Sequence, residues 1–122
     1  MTTRTLIAMF SVAALCGWHQ AVAFECPRPQ TASPSVISQT PQDQQALSQA
    51  FSASDIENQI GVAVADLQRK YPGVTDSELL NYLIGEYCPV VARMPGLSDA
   101  QKTAKVEHFA ATVFELLSEQ KL

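Results

Sequence analysis

The chain has 122 residues, and its 12 acidic and 8 basic side chains give a formal net charge of −4 at pH 7. One domain is the expected number at this length, with a core large enough to fold alone. The acidic balance and the scattered lysines and arginines argue against nucleic acid and anionic membrane surfaces as partners, because both require clusters of positive charge.

Residues 1–23 have the pattern of a secretory signal peptide. Arg4 precedes an apolar run over residues 6–16, and a small-residue Ala-Val-Ala site ends at Ala23. We expect cleavage after Ala23 and delivery to the periplasm or the medium. The apolar run is about half the length that a bilayer requires, so no membrane span is expected after cleavage.

Residues 24–40 form a proline-rich arm, in which Ser, Thr and Gln separate the prolines. Such a composition buries too little apolar surface to offset the entropy lost on ordering. The sequence therefore predicts a flexible spacer, in which only Val36 and Ile37 could dock onto a core.

Helical periodicity begins after the arm and continues over residues 41–122. The stretch Thr40-Pro41-Gln42-Asp43 supplies a cap, a proline and an acid, and it predicts a short helix over about 41–52. The stretch Ser54-Asp55-Ile56-Glu57 predicts a capping box that opens a second helix, which Pro72-Gly73 stops. The apolar residues that recur at helical spacing in these two helices are Leu47, Ala50, Phe51, Ile56, Ile60, Ala63, Val64, Leu67 and Tyr71.

The third predicted helix is the most apolar part of the domain. The stretch Thr75-Asp76-Ser77-Glu78 is another capping box, and the helix continues to Pro95-Gly96. Its apolar face is broad enough to pack against at least two neighbours. The apolar positions are 79, 80, 83, 84, 87, 88, 91 and 94.

The last helix opens at Ser98-Asp99-Ala100-Gln101, which predicts a third capping box. Its expected inward residues are Ala104, Val106, Phe109, Ala110, Val113, Leu116 and Leu117. No segment alternates with the period of a strand. The sequence therefore predicts an all-α fold, a small antiparallel bundle of three main helices and one short N-terminal helix, behind the signal peptide and the arm.

A proline inside the third helix has two interpretations. Pro89 cannot bond the carbonyl of Gly85, and both residues lie on the polar stripe. One interpretation is a solvated kink that bends the helix around its core. The other is a ligand notch formed by Tyr82, Gly85, Glu86 and Pro89.

Cleavage of the leader leaves two cysteines, Cys26 and Cys88. An exported protein with two cysteines most often joins them, so we expect a disulfide that clips the arm onto the third helix. The alternatives are an inert buried thiol at Cys88 and an exposed thiol at Cys26 that pairs between chains.

No catalytic, metal or cofactor signature appears. His108 is the only histidine after the leader, and its neighbours suggest a surface position. A metal site would have to combine Cys26, Cys88, Met94 and His108 without the short spacings typical of such sites. We therefore expect no enzyme, no metal and no cofactor.

Residues 86–110 contain the segment Tyr-Cys-Pro-Val-Val-Ala and a Leu-Ser-Asp helix start. This stretch resembles small exported bacterial helical proteins with no assigned activity, and the resemblance implies a secreted helical domain. The size and acidity of the chain are also similar to those of periplasmic acid-stress chaperones.

Three functions are consistent with these patterns. The first is a non-enzymatic binding or interaction protein of the cell envelope, whose partner is an unknown envelope protein or a small ligand. The second is an acid-stress chaperone, which would expose apolar helix faces at low pH. The third is a thiol-redox or metal-handling protein, which would require free thiols.

Overall fold

A computed structural model describes residues 23–26 and 35–121 of the chain. This part contains four helices and no strand, which confirms the predicted all-α fold. The helices are α1 (Pro41–Phe51), α2 (Ile56–Lys70), α3 (Asp76–Ala92) and α4 (Asp99–Glu119). The signal peptide lies outside the described residues, apart from Ala23. None of the described helices is both long and apolar enough to cross a membrane.

Three helices begin with the reciprocal hydrogen bonds of a capping box. The pairs are Thr40 with Asp43, Thr75 with Glu78, and Ser98 with Gln101. In each pair the hydroxyl accepts from a backbone N–H of the first turn, and the partner side chain accepts from the N-cap N–H. These bonds satisfy backbone N–H groups that the helix itself leaves free. Residues close to each other in the sequence therefore determine where α1, α3 and α4 begin.

The capping box predicted at the start of α2 is wrong. The N-cap is Asp55 rather than Ser54, and its side chain makes no capping bond. Asp55 Oδ2 instead accepts from Gln59 Nε2 at 3.2 Å. The connection is short, and its first residues still bond to the last turn of α1, so the helix begins one residue later than predicted. Glu57 therefore occupies the second helical position and does not reach back to an N-cap.

The core is centred on three aromatic rings from three helices. Tyr87 and Phe109 stack with centroids 4.1 Å apart, and Phe51 meets both rings edge-on. Aliphatic side chains from α2, α3 and α4 surround this cluster. The helix α3 packs against both α1 and α4, which confirms the prediction of two neighbours from its broad apolar face.

The bundle consists of two helical hairpins packed side by side. The end of α4 lies at the start of α3, because Lys121 Nζ lies 2.6 Å from Asp76 Oδ2. Lys102 Nζ near the start of α4 donates to the carbonyl of Ala92 at 3.0 Å. Helices α3 and α4 are thus antiparallel. Helix α2 also packs against α4, although the two are not consecutive in the chain.

The described ends of the arm lie on the bundle. Tyr71 donates its hydroxyl to the carbonyl of Ser38 at 2.7 Å, and Tyr82 donates to Gln39 Oε1. Ile37 and Phe24 pack against the core. Residues 27–34 lie outside the described residues, so the predicted flexibility of the arm remains a prediction there.

Candidate functional site

The predicted ligand notch on α3 is partly occupied by the protein itself. The Tyr82 hydroxyl donates a hydrogen bond to Gln39 Oε1, and burial raises the pKa of this phenol. Burial also raises the pKa of the Glu86 carboxyl, whereas Pro89 is exposed. A Cβ built on Gly85 would meet no atom within 4 Å, so no close packing requires glycine there. Tyr82 therefore serves to anchor the arm, and a ligand notch remains a prediction.

The structure pairs Cys26 with Cys88, as the sequence predicts. Their Cα atoms are 5.6 Å apart, within the range of a disulfide, and the pair closes a loop across 62 residues of sequence. Cys88 is fully buried, so the bond reaches from the exposed residue 26 to the core side of α3. This geometry clips the start of the arm onto the bundle.

A cavity that the sequence did not predict lies where α2, α3 and α4 meet. Its volume is about 280 Å³, slightly below the range of about 300–1,000 Å³ found for drug-sized ligands. We call it the α2–α4 cavity. It is lined by Ile56, Glu57, Ile60, Tyr87, Ala104, Lys105, His108, Phe109 and Thr112.

The inner wall of this cavity includes one buried tyrosine. Tyr87 is only 4% exposed, yet no described residue hydrogen-bonds to its phenol, whose pKa is raised by burial. Within the described part of the chain, no fully enclosed side-chain polar atom lacks a partner. A tyrosine hydroxyl without a partner would therefore keep some access to solvent, and Tyr87 is one of the residues that line the cavity. A buried tyrosine hydroxyl usually has a hydrogen-bond partner, so Tyr87 is the candidate polar contact in this cavity.

The rest of the inner surface is apolar. Ile60 and Phe109 are both 2% exposed, and Ile56 is partly buried against the core. The Phe109 ring is held between Phe51 and Tyr87. The cavity can therefore take the apolar body of a small molecule against rigid walls.

Charged side chains surround the mouth of the cavity. Lys105 and His108 are three residues apart on α4, so they are neighbours on one face of that helix. Glu57 lies across from them on α2. Among the described residues, neither Glu57 nor Lys105 forms an ion pair. Both charges are free to meet a ligand.

The register of α2 against α4 explains why Glu57 lies at this mouth. Gln68 Nε2 donates to Gln120 Oε1 at 2.8 Å, so this face of α2 meets α4. Glu57 lies three turns before Gln68 on nearly the same face. As many residues separate Glu57 from Gln68 on α2 as separate Phe109 from Gln120 on α4. Glu57 and Phe109 therefore lie at the same height in the bundle. The carboxylate that the sequence assigned to a cap thus faces the cavity.

The sequence interpretation missed this site because each of its residues had another explanation. Tyr87 was counted with the apolar face of α3, Glu57 with a capping box, and His108 with the surface. The available signal was Tyr87, whose hydroxyl needs a partner in the middle of an otherwise aliphatic face.

The candidate metal ligands are not brought together. The part of the chain at 23–26 and 35–121 holds no group of three or more His, Cys, Asp or Glu side chains that could bind a metal ion. Cys26 and Cys88 are paired with each other, and His108 lies at the mouth of the α2–α4 cavity.

Comparison with known protein families, curated proteins and solved structures finds no match to this chain. The resemblance of residues 86–110 to exported bacterial proteins therefore remains a prediction.

Proposed function

We propose that this protein is a non-enzymatic binding protein of the cell envelope, which holds a small molecule in the α2–α4 cavity. The observation that carries the proposal is the hydroxyl of Tyr87. The residue Tyr87 lies in the core and lines the cavity, and its hydroxyl has no hydrogen-bond partner among the described residues. A ligand with a polar group would satisfy it, and this would offset the cost of burying the hydroxyl.

The lining favours binding over turnover. A nucleophile needs a base within hydrogen-bonding reach. The Thr112 hydroxyl, which lines the cavity, donates to the carbonyl of His108 at 2.9 Å rather than to an imidazole nitrogen. The remaining lining consists of apolar walls and a charged mouth, an arrangement typical of small-ligand sites.

The location in the envelope is supported by the leader and by the cysteines. Residues 1–23 have the order of a cleavable signal peptide. The pairing of Cys26 with Cys88 is consistent with an oxidising compartment. The partner in this proposal is a small molecule rather than another protein, because the buried Tyr87 and its apolar neighbours line a cavity of about 280 Å³.

Methyl NMR on isoleucine-labelled protein tests the proposal with an internal control. Ile56 and Ile60 line the cavity, whereas Ile84 lies on α3 outside its lining. A panel of small amphiphiles is added one compound at a time. We expect binders to shift the Ile56 and Ile60 methyl signals and to leave Ile84 unchanged. A panel that shifts none of these signals, or shifts all three equally, would contradict a ligand site in the cavity.

The acid-stress chaperone is a second candidate, supported by the helix caps and by two exposed side chains. The capping carboxylates Asp43 and Glu78 both have lowered pKa values, so strong acid removes their contribution to stability. Val62 and Phe114 are 51% and 62% exposed in the folded protein. A dye that detects apolar surface separates the two functions. The chaperone predicts dye binding at about pH 3 with retained helicity, whereas the binding protein does not require it.

A further inference from the structure

We propose that the α2–α4 cavity selects an aromatic α-amino acid whose ring carries a hydrogen-bonding group at its tip, with tyrosine as the simplest example. This inference rests on the proposed function, because it names the class of ligand for the same cavity. It follows from the order of the lining residues, with the buried Tyr87 at the inner wall, apolar side chains along the sides and opposite charges at the mouth.

The charged mouth matches a zwitterion. Glu57 offers a carboxylate from α2, and Lys105 offers an ammonium from α4, with His108 beside it. Neither charge is neutralised by another described residue. An α-amino acid carries an ammonium and a carboxylate on one carbon, so it would meet both charges at once. A ligand with a single charge would satisfy only one side of the mouth and meet a like charge on the other.

The sides of the cavity match a planar apolar body. Ile56 and Ile60 form one wall, and the Phe109 ring forms another. The Phe109 ring is already fixed by stacking on Tyr87, so it presents a rigid surface. Aromatic rings gain from edge-on or offset contacts with such a surface beyond the apolar area that they bury. The volume of about 280 Å³ favours one small ring system over a lipid chain or a large cofactor.

The hydroxyl of Tyr87 matches a polar tip. A phenol or an indole N–H at the end of the ligand ring would complete the hydrogen bond that the described residues leave open. A site that places a polar group against a bound ligand discriminates against analogues that lack its partner, because the protein group then loses its contact with water and gains no hydrogen bond. We therefore expect the cavity to prefer tyrosine over phenylalanine.

The experiment uses the full exported chain and four probes, which are one reference compound and three analogues that each lack one group. The reference is L-tyrosine. L-phenylalanine lacks the ring hydroxyl, tyramine lacks the carboxylate, and 3-(4-hydroxyphenyl)propanoate lacks the ammonium. Affinities are measured by titration while the Ile56 and Ile60 methyl signals are observed. We expect L-tyrosine to bind roughly tenfold more tightly than each of the other three probes.

Matched variants assign each preference to one side chain. Tyr87→Phe should abolish the preference for L-tyrosine over L-phenylalanine. Glu57→Gln should abolish the preference for L-tyrosine over 3-(4-hydroxyphenyl)propanoate, and Lys105→Gln the preference over tyramine. Glu115→Gln removes an exposed charge from α4 outside the cavity and should change none of these ratios. A purely structural role for these residues would weaken all four probes equally.

Three results would overturn the inference. Equal affinities of L-tyrosine and its three analogues would show that the cavity recognises only the apolar body. Preferences that persist in Tyr87→Phe and Glu57→Gln would show that other residues recognise these groups. Binding of the neutral probe 4-methylphenol without binding of L-tyrosine would exclude a zwitterion. In each case the Ile56 and Ile60 shifts would still support a small-molecule site, whereas no shift with any of the five probes would remove the proposed function as well.

Discussion

The three tyrosines of the chain provide an internal comparison, because only one of them lacks a hydrogen-bond partner among the described residues. Tyr71 donates to the carbonyl of Ser38, and Tyr82 donates to Gln39. Tyr87 is the most buried of the three and lines the cavity. Replacing each tyrosine with phenylalanine removes the oxygen and keeps the ring. The stability changes should therefore differ in sign rather than only in size.

The expected magnitudes follow from what each hydroxyl contacts. A neutral hydrogen bond contributes about 0.5–1.5 kcal/mol net, so Tyr71→Phe and Tyr82→Phe should each lose about 1 kcal/mol. Tyr87→Phe removes a hydroxyl that has no hydrogen bond to lose among the described residues. Its free energy of unfolding should stay unchanged or rise by about 1 kcal/mol. In a domain of this size, 1 kcal/mol corresponds to about 4–8 °C in the melting temperature.

Urea unfolding followed by far-ultraviolet circular dichroism measures these changes, provided that the slope with denaturant is the same in all four proteins. The wild-type chain and Tyr71→Phe serve as the two references. A loss of about 1 kcal/mol or more in Tyr87→Phe would refute the reasoning. Such a loss would mean that the hydroxyl is already bonded within the protein and is not available to a ligand.

The remaining predictions concern the kink, the caps and the disulfide. Pro89→Ala should keep the fold and change stability by about 1 kcal/mol in either direction, as measured by urea unfolding; a loss of several kcal/mol would mean that packing requires the bend. Hydrogen bonds from the N-cap threonines lower the pKa of the Asp43 and Glu78 carboxyls below the ordinary values of 3.8 and 4.5. The stability that these two carboxylates contribute to the fold should therefore be complete above the ordinary values and be lost as the pH falls through the folded-state pKa. Burial raises the pKa of Glu86, so its protonation favours the folded state as the pH falls, and Glu86→Gln should stabilise the protein at neutral pH. Cys26→Ser should stay helical by circular dichroism and lose at most about 4 kcal/mol, the chain-entropy value for a loop of this length; peptide mapping without reductant should recover the two cysteine peptides of the native protein as one linked species.

The fold could be predicted because its signals are local. Apolar residues recur at helical spacing over each of the four segments, and the side chains that cap α1, α3 and α4 lie within one turn of the bonds they make. The pairing of Cys26 with Cys88 could be predicted from composition, since the third cysteine of the chain lies in the predicted signal peptide. These predictions needed no knowledge of how the helices pack.

The start of α2 shows where local reasoning fails. The residues from Ser54 to Glu57 have the spacing of a capping box, but the end of α1 determines where the next helix begins. The shift by one residue separates Glu57 from the N-cap and places it beside the cavity. A mismatch between local pattern and structure often marks a functional position, which agrees with the role proposed for Glu57.

The cavity could not be predicted, because it depends on contacts between distant parts of the chain. The bond between Gln68 and Gln120 links residues 52 positions apart and sets which faces of α2 and α4 meet. Periodicity identifies an inward face but not the neighbouring helix that packs against it. Without that register, Tyr87 is one more core residue and Lys105 one more surface charge.

Filling the mouth of the cavity tests the central claim most directly. Ala104 is exposed and lines the cavity, whereas Ala111 is also exposed but lies about two turns further along α4 and outside the lining. Affinity for the strongest binder of the amphiphile panel is measured by calorimetry in Ala104→Trp and in Ala111→Trp. We predict that Ala104→Trp abolishes binding with unchanged helicity, and that Ala111→Trp binds as the wild type does. Equal binding by the two variants would contradict a ligand site between α2 and α4.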